Sequence, residues 1–480
     1  MHDLLITNAL ILTMNGTCRI IENGFLAIKH DKIVDIGSMT KLSQKAEKVI
    51  DGKGKLVMPG LINAHSHGAD VLLRGGLSQD RGLYDWLHNV LYPGMQAYTL
   101  DDIKIGTTLF IDEAIRSGIT TIVENEDFPS IENHRILLNT FKKSGMRAIF
   151  GRMFNDLPTP PMLSDYYHLI KSKSPNVKHV EGDLVEDTKN AMNEIEVLMR
   201  EYNSAESMVQ VWPSPFGPEW CTKEGLQASF ELARKRETGI TMHLSETQMS
   251  QRLFGVSATE YLNSINCLDP RLLVAHCIWL NDRDIRLLKE NDVKIAHQPS
   301  ANMYLADGIA PIPKMLASGI TIGLGTDDAN ANDSVSIFNE MRVASLIHKG
   351  NTQDPKCITS EQVLEMATVN GAKAIGMENS IGTLEVGKQA DLIIINLNLP
   401  HLRPIHHIPS VLTYQTRGGT EVETVIVNGK ILMYDKKLTW LTESEEEKLL
   451  KDAQKSSIQI RDRANLELPE NYSVRKTLFT

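Results

Sequence analysis

The pattern of apolar and polar positions divides the chain into two β-rich ends and a long alternating middle. Near the start, LLITNALILTM and GFLAIKHDKIVDIG are strand-like runs. Near the C-terminus, strand-like runs return as ADLIIIN and VETVIVNGKILM, the second with the hairpin signal Asn428-Gly429. We therefore expect residues 1–55 and 376–440 to close into one small β-sandwich domain.

In the middle of the chain, short apolar runs alternate with longer segments of helical periodicity such as SVSIFNEMRVASLIH. This alternation predicts parallel strands joined by helical crossovers. The candidate strands are KLVMPGLINAH, GITTIVEN, MRAIFGRMF, MVQVWPSPF, GITMHLSE, LLVAHCIWL, VKIAHQPS and TIGLGTDD. Because eight parallel strands can close into a barrel, we expect a (β/α)8 TIM barrel over residues 56–375. A doubly wound open sheet is the alternative, but the glycine-rich phosphate turns typical of it are absent from the sequence.

Beyond residue 440 the sequence is highly charged, with Leu449, Leu450 and Ala453 at helical spacing. We expect residues 441–480 to form an amphipathic helical tail that packs on the barrel and keeps its charged face in solvent.

Composition narrows the class of partner. The chain has 480 residues, of which 42% are hydrophobic and 23% charged, and its net charge of −10 argues against a nucleic acid partner. A small neutral substrate is expected instead. The five cysteines are scattered and contain no CxxC pair, which favours a reducing cytoplasm over a disulfide framework. The N-terminal MHDLLITNALILTMNG predicts a strand rather than a signal peptide or membrane anchor.

Possible metal ligands and acids stand at the C-terminal ends of the candidate strands, where barrel enzymes carry their chemistry. They are His65 and His67 after the first strand, His243 and Glu246 after the fifth, His276 after the sixth, His297 after the seventh, and Asp327 and Asp328 after the eighth. A His-x-His pair on an extended strand points both rings to one side. Zinc and iron(II) accept imidazole together with carboxylate and make bound water nucleophilic near neutral pH. The pattern indicates metal-dependent hydrolysis.

Each of these residues also has an ordinary structural interpretation. A lone histidine at a strand end more often satisfies local hydrogen bonds, Asp327 resembles a helix cap, and Glu246 resembles a solvated loop carboxylate. The coincidence of several such residues at strand ends favours the metal site. Six other histidines are given no role: His134, His168, His179, His348, His406 and His407.

The motifs PGLINAHSH, HLSE, VAHC and GLGTDD, in this order, resemble the amidohydrolase superfamily, and GTLEVGKQADLIIIN is similar to its returning C-terminal sandwich strand. The resemblance spans nearly the whole chain. More narrowly, LLRGG, YDWLHNVLYPG, RSGITTIVEN, GIAPIPKM and DDANANDSV are similar to the branch that contains atrazine chlorohydrolase, melamine deaminase and guanine or cytosine-type deaminases. The resemblance implies a hydrolase that acts on C–N bonds other than peptide bonds, and a homo-oligomer.

The resemblance further implies one divalent ion, Zn²⁺ or alternatively Fe²⁺, at a site held by His65, His67, His243, His276 and Asp327. Family members with two metals usually bring a carboxylated lysine from the fourth strand, and MVQVWPSPF has no lysine. The implied catalytic roles are proton acceptance by Asp327, protonation of a substrate ring nitrogen by Glu246, and assistance to the attacking hydroxide by His276. His297 is implied in the pocket.

Hydrolytic loss of an amine from an aromatic ring needs a nucleophile at carbon and protons for the ring nitrogen and for ammonia. Asp328 is a carboxylate that could hold or protonate the amine, whereas the chlorohydrolase-like pattern carries an amide there. We therefore expect an aminohydrolase of a nitrogen heteroaromatic ring such as guanine or a melamine-like aminotriazine. Hydrolytic dechlorination of an atrazine-type triazine is the alternative.

The expected substrate contacts are Tyr84, Trp86, Asn125, His297 and Asp328. Aromatic residues can stack on a heterocycle, and the polar ones can bind its edge. Two other hypotheses are less consistent with the sequence. Cyclic-amide hydrolysis would usually favour the missing lysine, and a catalytically inactive binding subunit would predict a broken ligand set.

Overall fold

The computed structural model describes residues 2–16, 20–43, 45–157 and 185–467. Part of the predicted tail, residues 468–480, lies outside the described residues, as do Cys18, His168 and His179. None of the described helices is long and apolar enough to cross a bilayer. The cytoplasmic location, the homo-oligomer and the domain boundaries stay predictions.

The described strands are numbered in chain order. They are β1 His2–Leu12, β2 Ile20–Lys29, β3 Lys32–Ser38, β4 Ala46–Asp51, β5 Lys55–Pro59, β6 Leu61–His67, β7 Ile119–Glu126, β8 Arg147–Phe154, β9 Val209–Pro215, β10 Ile240–Leu244, β11 Leu272–His276, β12 Lys294–His297, β13 Ile322–Leu324, β14 Asp327–Asp328, β15 Leu392–Asn396, β16 Val422–Val427, β17 Lys430–Tyr434 and β18 Lys437–Leu438.

The described α-helices connect and cover these strands. They are α1 Leu83–Trp86, α2 Tyr92–Gln96, α3 Leu100–Arg116, α4 Ile131–Ser144, α5 Thr188–Tyr202, α6 Lys223–Arg236, α7 Met249–Phe254, α8 Ala258–Ser264, α9 Asp282–Glu290, α10 Pro299–Tyr304, α11 Ile312–Ala317, α12 Ala329–Asn332, α13 Ile337–Thr352, α14 Ser360–Ala367, α15 Val369–Ala374, α16 Ile408–Tyr414 and α17 Glu443–Ala464. Short 3-10 helices occur at Met39–Lys41, Ala69–Leu73 and Pro400–Leu402, and one π-helical turn at Leu87–Leu91.

Both ends of the described chain contribute to one nine-stranded sheet. Its order is β18-β17-β16-β15-β5-β1-β2-β3, with β4 paired to β1. Strand β15 runs antiparallel to β5, with Leu392 opposite Pro59. The predicted hairpin joins β16 to β17, and Asn428 and Gly429 have φ of 49° and 74°, as a two-residue type I′ turn requires. The chain ends therefore share a sheet, while the two-layered sandwich stays a prediction.

All eight predicted barrel strands are present, and their pairings are parallel. They form a five-stranded sheet, β14-β6-β7-β8-β9, and a four-stranded sheet, β10-β11-β12-β13. The first predicted strand divides at Gly60, because β5 joins the nine-stranded sheet and β6 the barrel. The eighth divides at Gly325 and Thr326 into β13 and β14.

The prediction of a closed barrel needs correction, because the two parallel sheets share no strand ladder within the described residues. Where β13 approaches β6, a side chain replaces the ladder: Asn63 accepts a hydrogen bond from the Thr326 backbone N–H at 3.0 Å and donates to its hydroxyl at 2.8 Å. The next residue, Asp327, has a backbone φ of 64°, which residues other than glycine rarely adopt. This turn interrupts the eighth strand and starts β14 beside β6.

Two sets of ion pairs connect elements that are distant in sequence. Helix α17 lies against α3, where Arg463 donates to Asp102 and Arg116 donates to Glu446, each at 2.5 Å. Between β8 and β15, Arg147 makes a two-pronged contact with Asp391 at 2.9 and 3.1 Å, and both side chains are buried. The second pair ties the parallel sheet to the nine-stranded sheet.

Candidate metal centre and substrate cavity

Four strands bring the predicted ligands together at one end of the parallel sheets. His65 and His67 lie on β6, His243 on β10, His276 at the end of β11 and Asp327 at the start of β14. Nε2 of His67 is 3.2 Å from Nε2 of His65 and 3.3 Å from Nε2 of His243. Oδ1 of Asp327 is 3.3 Å from Nε2 of His65 and 3.9 Å from Nε2 of His67. Three imidazoles and one carboxylate therefore share a small volume.

The facing ring nitrogens fit a cation. Nδ1 of His243 donates to the Phe216 carbonyl at 2.7 Å, so its Nε2 presents a lone pair to the ring of His67. The ring of His67 is itself hydrogen-bonded to the backbone of Asn125. Oδ1 of Asp327 is buried without a hydrogen-bond partner among the described residues. Lone pairs this close repel one another unless a proton or a metal ion lies between them, and histidine with aspartate is a ligand set that zinc prefers.

A shared proton is the less favourable solution, because burial disfavours charged imidazole. Burial and the neighbouring ring of His65 lower the pKa of His67 to about 3. Burial and the rings of His65 and His276 hold the pKa of His243 well below its ordinary value. Burial alone would raise the pKa of Asp327, yet the rings of His276 and His65 hold it below its ordinary value. These directions favour neutral imidazoles at His67 and His243 and an anionic carboxylate at Asp327, the protonation state in which these groups bind metals.

His276 is placed differently from the other three histidines. Its Nδ1 donates to Oδ1 of Asn302 at 2.9 Å, and its backbone N–H donates to the side chain of Gln298. Its Nε2 is 3.6 Å from Oε1 of Glu246, and its Nδ1 is 3.9 Å from Oδ2 of Asp327. The ring thus lies between Glu246 and Asp327, the predicted proton donor and proton acceptor.

Strained backbone also occurs where these side chains are presented. Ser245, His276, Cys277 and Asp327 have φ of 52°, 69°, 53° and 64°. Each of these positions costs of the order of 1–3 kcal/mol and persists only where the surrounding structure imposes it. Such conformations cluster at functional sites.

A cavity opens onto His67, His243, His276 and Glu246. Its apolar wall consists of Leu83, Tyr84, Trp86, Leu87, Leu91, Tyr92, Met95, Met153, Phe216 and Trp220. Three of the predicted substrate contacts, Tyr84, Trp86 and Asp328, lie in the cavity wall. The Tyr84 hydroxyl is 3.0 Å from the Thr247 hydroxyl, and the Trp86 indole N–H donates to Asn330 at 2.8 Å, so hydrogen bonds orient both rings.

The other two predicted substrate contacts, Asn125 and His297, are not among the residues that line this cavity. The Asn125 side-chain amide is 3.1 Å from Nδ1 of His65 and accepts a hydrogen bond from Ser214, so it orients a ring of the cluster. Nε2 of His297 is 3.1 Å from Nε2 of His348 on α13. In both cases a buried imidazole has a polar partner outside the cavity lining, as buried polar groups require. Substrate contact by Asn125 and His297 stays a prediction.

Four residues at this site were not predicted from the sequence. Glu126 and Asp127 follow the second predicted strand in the motif ENED, and Glu219 follows the fourth; all three line the cavity. Glu126 and Asp127 could have been predicted, because the motif ENED lies at the C-terminal end of a candidate strand. Asn302, which holds His276, belongs to a short helix and carried no comparable signal. Burial and the charge of Glu124 raise the pKa of Glu126 well above its ordinary value, and burial raises that of Asp127 to about 6.

A model of the Amidohydrolase family matches residues 56–432. The chain is 36% identical to a 5'-deoxyadenosine deaminase of Methanosarcina mazei over 471 residues, which cover 97% of this chain and 100% of the relative. It is 34% identical to an S-triazine hydrolase of Gordonia rubripertincta, with 94% of each chain covered.

A crystal structure of an adenosine deaminase from Xanthomonas campestris with bound zinc has a similar fold. Its TM-score against this chain is 0.85 at 24% sequence identity, with 96% of this chain and 99% of that chain covered. The correspondence shows that the two chains share the arrangement of their strands and helices.

Proposed function

Because this chain belongs to the Amidohydrolase family, a hydrolase class that acts on C–N bonds, we propose that it is a metal-dependent aminohydrolase. The reaction we propose replaces an exocyclic amine on a nitrogen heteroaromatic ring with oxygen. The observation that carries the proposal is the convergence of His65, His67, His243 and Asp327 beside the largely buried carboxyl of Glu246.

The resident ion of the proposal is zinc, with iron(II) as the alternative. His65, His67, His243 and Asp327 would hold it, and His276 would complete the set at the side of Glu246. When bound, such an ion supplies Lewis acidity that makes water nucleophilic near neutral pH. The cluster is enclosed by buried strand ends, which supports a dry site in which charges interact strongly.

The side chains of this chain account for the proton movements. Burial and the charge of Asp327 raise the pKa of Glu246 well above its ordinary value, so Glu246 carries a proton that it can donate to a ring nitrogen of the substrate. Asp327, held anionic, can accept a proton from the attacking water. The carboxyl group of Asp328 lines the cavity next to this pair and is available to bind the departing amine.

The substrate ring that we propose first is an adenine-type purine, since the deaminase relative acts, by its name, on 5'-deoxyadenosine and its match covers 97% of this chain. Guanine and aminotriazines are further candidates for the same chemistry. The apolar wall with Tyr84 and Trp86 suits any flat heterocycle.

Hydrolytic dechlorination of a triazine is the second candidate, favoured by the S-triazine hydrolase relative. The carboxyl of Asp328 favours an amine as leaving group. Ammonia departs only after protonation, whereas chloride gains nothing from a proton donor.

The proposal is tested by metal analysis together with a leaving-group screen. The purified protein is assayed for ammonia and chloride with adenosine, 5'-deoxyadenosine, guanine, melamine and atrazine. We expect about one divalent ion per chain, by analogy with mononuclear catalytic sites, and ammonia release that a chelator abolishes and added zinc restores. Chloride release from atrazine without ammonia from any ring would refute the choice of leaving group, and full activity in metal-free protein would refute the metal centre.

A further inference from the structure

A buried carboxyl group that the proposed mechanism does not use joins two segments that carry the site. Glu340 lies on α13, and its side chain is fully buried. Its Oε2 accepts a hydrogen bond from the backbone N–H of Ser300 at 3.1 Å, and its Oε1 accepts from the side-chain amide of Asn332 at 2.9 Å. The two donors belong to α10 and α12, so one side chain connects three helices.

The first of these segments, α10 with its N-cap, holds His276. The N-cap Gln298 accepts a hydrogen bond from the His276 backbone N–H, and Asn302 accepts from its Nδ1, each at 2.9 Å. Ser300 lies midway between these two residues. Its N–H is in the first turn, where a helix offers no acceptor of its own, so the carboxyl group of Glu340 satisfies it. Glu340 therefore fixes the segment from which His276 is oriented.

The second segment holds Asp327. The side-chain amide of Asn332 donates to Glu340 and also to the Thr326 carbonyl, the latter at 2.7 Å. That carbonyl belongs to the peptide bond between Thr326 and Asp327, so its hydrogen bond fixes the peptide plane from which the side chain of Asp327 is presented. The φ of 64° at Asp327 persists only where the surrounding structure imposes it, and Asn332 contributes to that constraint.

The two residues held in this way come from different sheets. His276 ends β11 in the four-stranded sheet, and Asp327 begins β14 in the five-stranded sheet. No strand ladder joins these sheets in the part of the chain that the structure describes. Nδ1 of His276 nevertheless lies 3.9 Å from Oδ2 of Asp327. Because backbone pairing does not set this distance, side-chain hydrogen bonds have to.

We infer that Glu340 is a positioning residue for the proposed reaction: it sets His276 relative to Asp327 by hydrogen-bonding both of the segments that carry them. The inference rests on the proposed function, because it assigns Glu340 to the two residues expected to act on the attacking water. Glu340 acts through Asn332 on one side and through α10 with Asn302 on the other.

Glutamate suits this position because both neighbours are donors and a carboxylate offers an acceptor to each. Burial raises the pKa of Glu340 to about 7, and the hydrogen bonds from Asn332 and Ser300 oppose that rise. Glutamine has the same shape but carries a donor nitrogen in place of one oxygen, so it cannot satisfy both neighbours. Glu340→Gln therefore preserves packing and breaks one of the two contacts.

The test compares kcat with KM for ammonia release at a pH above that raised pKa, where the wild-type carboxylate is ionised. In Glu340→Gln we expect kcat to fall at least about tenfold, because a misplacement of about 1 Å costs up to about 100-fold. KM should stay within about threefold, since Glu340 does not line the cavity. A kcat within about threefold of wild type, or a loss confined to KM, would overturn the inference.

A double-mutant cycle identifies the route of the effect. The kcat loss of Glu340→Gln is measured alone and combined with Asn302→Ala or with Asn332→Ala. In at least one combination the loss should be at least about threefold smaller than the product of the single losses, because residues in one hydrogen-bond network are coupled. Losses that simply multiply in both combinations would overturn the inference.

Glu421→Gln is the matched control. Glu421 is also buried, and it accepts hydrogen bonds from the Arg417 backbone N–H at 2.8 Å and from the His401 ring at 2.7 Å, in the segment before β16. Its replacement should lower stability in urea titrations and leave kcat unchanged. An equal loss of kcat in the control would overturn the inference by assigning the effect to loss of any buried carboxyl group. If Glu340→Gln does not fold, Asn332→Ala is judged by the same criteria for kcat and KM.

Zinc affinity separates this outcome from that of the proposed function. The dissociation constant for zinc is measured on metal-free protein by competition with a chromophoric chelator, a readout that needs no turnover. We expect it to rise at least about tenfold in Glu340→Gln, as is typical when the groups that orient metal ligands are changed. If the wild-type protein releases no ammonia but binds zinc, only the proposed function is overturned, and an unchanged zinc affinity in the variant then overturns the inference as well. A wild-type protein that neither reacts nor binds zinc overturns both.

Discussion

Replacement of Glu246 by glutamine is the sharpest test of the proton movements. The side chain is largely buried, and Oε1 is 3.6 Å from Nε2 of His276. Glutamine preserves the shape and hydrogen-bonding capacity of the side chain but has no acidic proton to transfer. The variant should therefore fold and bind metal while losing the donor for the substrate ring nitrogen.

The expected magnitude follows from the role of a positioned acid. General acid catalysis contributes about 10²- to 10⁴-fold, which corresponds to about 3–5 kcal/mol of the activation barrier. Because burial and the charge of Asp327 raise the pKa of Glu246 well above its ordinary value, the acid keeps its proton to higher pH than an ordinary glutamate, and activity should fall as pH rises through that raised pKa. The variant should lose this alkaline limb of the pH profile together with most of kcat.

The assay is steady-state ammonia release across pH, with metal content measured on the same preparations. Glu219→Gln serves as the matched control, because it removes a carboxyl from the same cavity while leaving the neighbour of His276 in place. We expect its kcat to stay within about tenfold of wild type, since general acid catalysis requires the acid within reach of the reacting atom. If Glu246→Gln retains wild-type kcat with a full metal complement, the assignment of Glu246 as proton donor is wrong.

Three substitutions test other contacts of the protein. Asp328→Asn should lower kcat/KM for ammonia release about 100-fold, as loss of a proton donor does, while sparing chloride release from atrazine; equal losses in both assays would contradict the role of Asp328. Asp391→Ala should lower the free energy of unfolding by about 3–5 kcal/mol in urea titrations, because Arg147 is left as an unpaired buried charge; a loss below about 1 kcal/mol would contradict this. Burial lowers the pKa of His134 from 6.5 to about 4, so its contribution to stability is complete above pH 6.5 and declines by about 3 kcal/mol as pH falls to 4. A His134→Asn variant should lack that part of the pH dependence of unfolding, and an unchanged profile would refute the assignment.

Much of the fold is visible in local sequence patterns. The eight strand-like runs of the middle region all form strands, because apolar runs bounded by turns depend on neighbouring residues alone. The turn at Asn428 and Gly429 is similarly local, since both residues adopt positive φ at low cost. The interruption of the eighth strand was not predictable, because it depends on the side chain of Asn63 meeting Thr326 across 263 positions of sequence.

For the candidate site, the sequence by itself determined which residue types stand at strand ends, because parallel strands in such a sheet direct their C-terminal ends to one face. It thereby singled out His65, His67, His243, His276 and Asp327, which the structure brings together. Only the tertiary structure decided which atoms face one another and which polar groups line the cavity. The side chain of Asn125 contacts His65 and that of His297 contacts His348, whereas Glu126 and Asp127 line the cavity. These contacts depend on distances between segments that are remote in sequence. A pattern of period two along a strand contains no information about such distances.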